Sequence, residues 1–240
     1  MKVLLFGKNS ENIKELVEKL GLEVITQNPE VILSFGGDGT LLSSERNYPS
    51  VPKLPIRDSL VCKKCSEHGE EVLLKKLLEG KLELKEYSKL ETEIENQKLL
   101  ALNDFVIRNK EPMHSIRFIV SFPQKRESIN NKLLIGDGIV VSTPFGSTGY
   151  FKSITGQSFE KGFGLAFNNT TEKLEPQFFT EKDEVNFKLV RGQAGLTSDN
   201  NPDIFPIAEG SEIIFELSHQ KAKIYELESL RCPNCKVTRG

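Results

Sequence analysis

Residues 36–40 read Gly36-Gly37-Asp38-Gly39-Thr40 and follow directly on the apolar run Val31-Ile32-Leu33-Ser34-Phe35. A buried strand gives way there to three glycines, one carboxylate and one hydroxyl. Glycine permits positive φ and lets bulky anions approach the main chain. Successive N–H groups in such a turn, or at the start of a helix, form a cradle for phosphate oxygens. A carboxylate inside a phosphate cradle is electrostatically awkward, which directs Asp38 toward a metal or toward a hydroxyl about to react. The plainer alternative is a tight turn whose Asp caps a helix.

Two later segments carry further polar chemistry. Asn103-Asp104 stands at the mouth of the apolar stretch Phe105-Val106-Ile107; on its own it reads as an Asx turn leading into a strand. The second segment runs Gly136-Asp137-Gly138, a buried strand Ile139–Ser142, then Thr143-Pro144-Phe145-Gly146-Ser147-Thr148-Gly149-Tyr150. A hydroxyl-rich glycine loop here enters a helix expected over Ser147–Ser153. It offers hydroxyl and backbone donors to phosphates, a helix N-terminus for their charge, and an aromatic ring for a base. Capping of that helix by Ser147 or Thr148 accounts for one or two of these residues but not the array.

All four cysteines fall in two Cys-x-x-Cys pairs, Cys62/Cys65 and Cys232/Cys235. Two such pairs complete a closed tetrathiolate Zn²⁺ site. Redox dithiols are the rival, but two unrelated redox pairs in one cytosolic chain are less economical than one metal, so a structural Zn²⁺ is expected. The C-terminal tail, residues 219–240, then returns to the first domain.

The elements that must position these groups follow from periodicity. Val3–Phe6, Glu23–Thr26 and Val31–Phe35 read as strands. Ile13, Leu16, Val17 and Leu20 recur at helical spacing behind Asn9 or Ser10 as N-cap, and Gly21 stops that helix. Pro49, Pro52 and Pro55 mark irregular structure up to the first cysteines, and Val72–Leu78 reads as a short helix. From Leu82 the pattern turns to short strands, with Glu95-Asn96-Gln97 as a hairpin turn. The fold class predicted is an α/β N-terminal domain, Rossmann-like with a small parallel sheet, followed by a β-rich, sandwich-like C-terminal domain. The boundaries expected are 1–90, 91–218 and the tail.

Composition bounds the class. The chain has 240 residues, 38% hydrophobic and 28% charged, with a formal charge of -2. That balance lacks the basic excess of a nucleic-acid binder. No apolar stretch approaches a membrane span, and Met1–Phe6 is too short for a signal peptide. A cytoplasmic protein with no nucleic-acid or membrane partner is expected.

Gly-Gly-Asp-Gly-Thr, then Asn-acidic before a strand, then Asp-Gly…Thr-Pro-x-Gly-Ser-Thr-x-Tyr resembles the ATP-dependent NAD kinase family in order and spacing, over residues 1 to about 220. The resemblance implies an α/β domain and a β-rich domain with the active site between them. It implies transfer of the γ-phosphoryl of ATP, accompanied by Mg²⁺, to the 2′-hydroxyl of NAD's adenosine ribose. By that match Asp38 orients the hydroxyl and accepts its proton, and Gly36, Gly37, Gly39 and Thr40 hold ATP phosphates. Asn103 and Asp104 match the family's Asn-Glu at the ribose and diphosphate of NAD, and Asp137 a carboxylate at the nicotinamide end. Ser147, Thr148, Gly149 and Tyr150 match the NAD-binding loop, with adenine-side contacts from Thr148 and Tyr150, and Ser153 a following polar contact. Asp199 matches a late Asp of the pattern.

The match also implies ATP and NAD(H) as partners and a homo-oligomer as a possible assembly. The chain departs from the pattern at four places. Asp104 is one methylene shorter than Glu, Phe145 replaces a hydroxyl residue, and Gly149 replaces Ala. Pro55–Cys62 stands where the family has Gly-Asn-x-Gly-x-x-Gly-Phe. Two alternatives stay open: a lipid kinase sharing the first motif, and a zinc-stabilised nucleotide-binding protein without activity.

Overall fold

The computed structural model describes residues 1–58, 69–123, 129–225 and 230. Its contacts divide the chain into two compact units, one of residues up to Tyr87 and from Ala222, the other Ser88–Lys221.

The first unit is an α/β layer. Strand β1 (Lys2–Phe6) leads through a 3-10 turn at Ser10–Ile13 into helix α1 (Lys14–Lys19), then to β2 (Glu23–Val24) and β3 (Val31–Gly36). Helix α2 (Asp38–Asn47), β4 (Lys53–Arg57) and α3 (Glu70–Leu78) follow. The strands order as β2-β1-β3-β4 with all pairs parallel. A parallel strand covered on both faces needs apolar residues throughout, and Val31–Phe35 is buried at every position. Asn9 precedes the 3-10 turn but makes no capping bond; its side-chain amide donates instead to Asp58 Oδ2 at 2.8 Å.

Residues 53–57, expected to be irregular, form strand β4 despite Pro55. The strand pairs with β3 from Lys53 to Arg57, and on its other side Lys53 pairs with Ile224. Ile32 N donates to the Pro52 carbonyl, so the ladder to β3 draws its β4 N–H groups from residues 54 and 56 and Pro55 withholds none from it. Lys53 and Glu45 form an ion pair inside this unit, both side chains almost fully buried, and Lys53 Nζ also donates to the Tyr48 carbonyl at 2.5 Å.

The second unit is a β-sandwich. One sheet is built from β7 (Asp104–Asn109), β10 (Gly138–Ser142), β11 (Phe163–Asn168), β12 (Gln177–Phe179), β14 (Ala194–Ser198) and β15 (Phe205–Ile207). Its order is β12-β11-β10-β7-β14-β15, antiparallel throughout. The other contains β8 (Ile116–Ser121), β9 (Leu133–Gly136), β13 (Val185–Arg191) and β16 (Glu212–Tyr225), ordered β16-β13-β8-β9. A hairpin of β5 (Leu84–Ile94) and β6 (Gln97–Ala101) joins through β16. Its turn residues Glu95 and Asn96 both have positive φ, as a tight two-residue hairpin turn requires.

Alternating side chains from both sheets form one core. Phe105, Ile107, Ile139 and Val141 come from one side; Phe118, Phe187, Leu189 and Phe215 come from the other. Helix α4 (Tyr150–Thr155) covers the opposite face of the first sheet through Phe151 against Val140 and Ala166. No helix among the described residues is long and apolar enough to cross a membrane.

Glu45→Ala removes the carboxylate that faces the buried Lys53 ammonium. It should cost about 3 kcal/mol of stability, read from the denaturant midpoint. A loss below ~0.5 kcal/mol would show that the pair does not hold α2 on the sheet.

Candidate active site

In the first unit the glycine-rich turn lies at the C-terminal end of a parallel strand, where open α/β sheets bind ligands. Gly36 ends β3, Gly37 is the extended N-cap of α2 with φ -106°, and Asp38 is the first helical residue. The positive φ expected of these glycines is not used. Gly36 is required by proximity instead: a Cβ there would lie 2.1 Å from Thr40 Oγ1. At Gly37 a Cβ would meet nothing within 4 Å, so the turn is open where an anion has to enter. Asp38 is half-buried, and Thr40 and Leu41 close the first helical turn by donating to the Gly37 carbonyl at 3.1 and 3.2 Å.

In the second unit Asn103-Asp104 and the loop after β10 are brought together through the backbone. The Asn103 carbonyl accepts from Thr143 N at 2.9 Å and from Ser142 Oγ at 3.2 Å, and Thr143 Oγ1 donates to the Leu102 carbonyl at 2.6 Å. Gly146 lies flat against the same turn; a Cβ there would sit 2.3 Å from the Asn103 oxygen. The amide oxygen Oδ1 of Asn103 is buried and finds no hydrogen-bond partner among the described residues. Buried polar atoms are nearly always satisfied, so a lone one on a loop that gathers polar groups points to a ligand or a water.

Asp199 fixes this turn. Its carboxylate accepts from the backbone N–H groups of Leu102, Asn103 and Asp104 at 2.9, 2.7 and 3.2 Å. The residue itself takes a positive φ of 49°. Asp104 follows it into burial, with consequences for its charge. Desolvation, and then the neighbouring Asp199 carboxylate, push the Asp104 carboxyl up from 3.8 to about 7. Near neutral pH it is therefore in part a protonated acid that can donate a hydrogen bond.

Asp137 and Tyr150 are each held by an asparagine at the end of β11. Asp137 Oδ2 accepts from Asn169 Nδ2 at 3.0 Å, while Asn168 Nδ2 donates to the Tyr150 hydroxyl at 3.3 Å. Asn109 adds a 3.5 Å contact to Asp137 Oδ1. The three asparagines escaped the sequence reading. A signal existed: Asn168 ends an otherwise apolar strand, Asn109 ends one with an apolar centre, and asparagine is depleted in strands.

The expected helix at Ser147 begins later, at Tyr150, because Pro144–Gly149 is held in turns of its own. Ser147 does not cap α4. Its hydroxyl is buried, donates to the Pro144 carbonyl at 2.9 Å and receives Phe159 N at 3.3 Å, fastening the loop. Thr148 and Gly149 are exposed, and exposed Ser153 donates to the Tyr150 carbonyl at 2.7 Å within the helix. Cys62, Cys65, Cys232 and Cys235 lie outside the described residues; among those described, no cluster of His, Cys, Asp or Glu could hold a metal.

The chain thus joins an α/β unit with an open glycine turn to a β-sandwich that carries Asn103-Asp104 at one end of β10 and Asp137 at the other. No family model matches the chain. It is 35% identical over 146 residues to NAD kinase of Saccharolobus islandicus, covering 60% of this chain and 56% of that protein. With NAD kinase of Aquifex aeolicus it shares 30% identity over 211 residues, 82% of this chain and 75% of the relative. A solved NAD kinase from Archaeoglobus fulgidus in complex with ATP superposes with a TM-score of 0.76 at 21% identity, covering 98% of this chain and 97% of that one. Yeast NADH kinase complexed with NADH gives 0.73 at 15% identity, over 94% and 82%. The chain belongs to the NAD kinase family. It spans 56% of the length of the Saccharolobus relatives it matches.

The buried acid gives a pH signature. Folding favours protonated Asp104, so its stabilising contribution is complete below the unfolded value near 3.8 and is lost as pH rises to about 7. In Asp104→Asn that loss should vanish. The variant should gain up to about 4 kcal/mol on the parent between pH 4 and pH 8, measured by denaturant unfolding at both values. A parent–variant difference independent of pH contradicts the buried titration.

Proposed function

We propose that this protein is an NAD kinase, transferring the γ-phosphoryl of ATP to the 2′-hydroxyl of the adenosine ribose of NAD. The observation that carries the reading is the buried, unpartnered amide oxygen of Asn103, wrapped by the Thr143–Gly146 loop, in a chain of the NAD kinase family. A dinucleotide supplies the hydroxyls and diphosphate that such a turn lacks. Asn103 and Asp104 bind its ribose and diphosphate region, and Asp104, protonated near neutral pH, donates to an acceptor that a carboxylate would repel. Asp137 binds the nicotinamide end, held by the amides of Asn109 and Asn169. Thr148, Gly149 and Tyr150 take the adenine side, while Ser147 and Ser153 shape the loop and helix that present them.

The open turn Gly36, Gly37, Gly39 and Thr40 receives the phosphates of ATP, and Asp38 receives the reacting hydroxyl. The 2′-oxygen bonds to the γ-phosphorus as the bond to the bridging oxygen of ADP breaks, and the hydroxyl proton passes to Asp38 late in that exchange. A carboxylate is a weak base for an alcohol, so Asp38 contributes chiefly by orienting it. The transition state is loose, and positioning with charge neutralisation supplies most of the acceleration. Mg²⁺ bound with the triphosphate would supply that neutralisation, and Asp38 and Thr40, oxygen donors of the kind a hard cation takes, would hold it.

The structural zinc belongs to the same reading. The Cys-x-x-Cys spacing supports it, and so does Arg57, five positions before Cys62, whose Nη1 donates to the carbonyl of buried Leu230, two before Cys232, at 2.7 Å. Elemental analysis of untagged protein should return one zinc per chain. Four freely titrating thiols with no zinc would remove the site while leaving the kinase reading intact.

Incubation with ATP, Mg²⁺ and NAD should yield NADP, detected with an NADP-specific dehydrogenase. Asp38→Asn should lower kcat at least ~100-fold with little change in the KM for NAD. Turnover near that of the parent takes Asp38 out of the reaction.

A further inference from the structure

The β-sandwich also carries a hollow, next to the loop that Asn109 ties to Asp137. A cavity of about 580 Å³ is lined by Glu111, Met113, His114, Arg117, Ile135 and Arg191, among others. Its volume is in the range of small-molecule sites.

The two arginines face each other across the ladder between β8 and β13. Like charges directly opposite on a sheet destabilise it. Neither guanidinium has a hydrogen bond or ion pair with any described residue.

The opposition is built by a local irregularity. Regular register pairs Lys188 with Ile119 and Leu189 with Phe118, which would set Val190 opposite Arg117 and turn Arg191 toward the core. A bulge between Leu189 and Arg191 absorbs one residue and brings Arg191 opposite Arg117 on the outer face. Bulges re-aim side chains in this way and are common beside functional sites. Gly192, with φ +105°, then turns the chain into β14, and its N–H donates to Glu209 Oε1 at 2.7 Å.

The opposite wall is also fixed. Asn109, buried at the end of β7, donates through its amide to the carbonyls of Glu111 and His114 at 3.0 and 3.1 Å. His114 Nδ1 lies 2.8 Å from Glu111 Oε2, so the one acidic side chain of the lining is engaged with the histidine. Lys110 N donates to the Gln193 carbonyl at 2.9 Å and joins this loop to the chain beyond Arg191.

We propose that this hollow binds an organic phosphate of nucleotide size, its phosphate oxygens bridging Arg117 and Arg191 and its apolar part lying against Met113 and Ile135. Two guanidinium forks suit an anion with several oxygens, since each can bond two of them in parallel. Inorganic phosphate alone leaves most of the volume unfilled. Met113, 90% exposed, and half-buried Ile135 supply the apolar contact. The site is independent of the kinase reading, because none of its lining residues is among those assigned to ATP or NAD.

The test uses the full chain and phenyl phosphate as probe, with inorganic phosphate and benzoate as controls, at low ionic strength. Phenyl phosphate should shift the Gly192 amide and His114 ring resonances saturably, bind more tightly than either control, and weaken as salt is added. Arg117→Gln/Arg191→Gln should weaken it at least ~10-fold, and Arg117→Lys/Arg191→Lys should fall between. Equal affinity in the glutamine variant overturns the proposal. So does the absence of a saturable shift in the unsubstituted protein, a result that needs no variant to fold. A change of oligomeric state in the glutamine variant, with anion affinity unaltered, also overturns it and assigns the arginines to an acidic surface of a second copy.

Discussion

The carboxylate of Asp199 is the point on which the second unit's polar chemistry depends. Three consecutive N–H groups at Leu102–Asp104 converge on it, and without that acceptor the turn between β6 and β7 has three donors to satisfy in a largely buried place. Once the turn is set, the Asn103 carbonyl points at the loop after β10 and collects Thr143 N and Ser142 Oγ. Gly146 can then lie against it. The sandwich core supplies the stiffness, since Phe105 and Val141, flanking the turn and the loop, both belong to it.

That arrangement has an electrostatic cost. Placing Asp199 beside Asp104 in a dry turn raises the Asp104 carboxyl into the neutral range. Asp199 itself accepts from three backbone donors. Two carboxyl groups in one turn thus divide their work: one stays an acceptor for the backbone, and the other becomes a donor for whatever occupies the site. The shorter Asp at position 104, where relatives of this motif are expected to carry Glu, keeps the acid close to the backbone.

The sequence was legible wherever backbone geometry is written in residue type. Three glycines after an apolar run mark the β3–α2 turn, and Glu95-Asn96 marks a tight hairpin. The change from helical to alternating periodicity near Leu82 marks the passage to the sandwich. Where partners come from distant segments, the pattern had nothing to offer. Pro55 looked like an obstacle to a strand, because only the pairing of β4 shows that the ladder to β3 does not use its missing N–H. Ser147 looked like a cap, because its true partner, Phe159, lies twelve residues on. Asn109, Asn168 and Asn169 acquire meaning only when β7 and β11 meet Asp137 and Tyr150. Asp199 was named by motif order alone; its role as a backbone clamp required the fold.

On the proposed reading a dinucleotide completes the amide oxygen of Asn103, and a crystal structure of the protein soaked with NAD tests this directly. NAD should place a ribose hydroxyl or amide donor within hydrogen-bond distance of Asn103 Oδ1, with Asp137 and Tyr150 contacting the same molecule. NAD bound elsewhere, with an ordered water completing Asn103 in its presence, would contradict it.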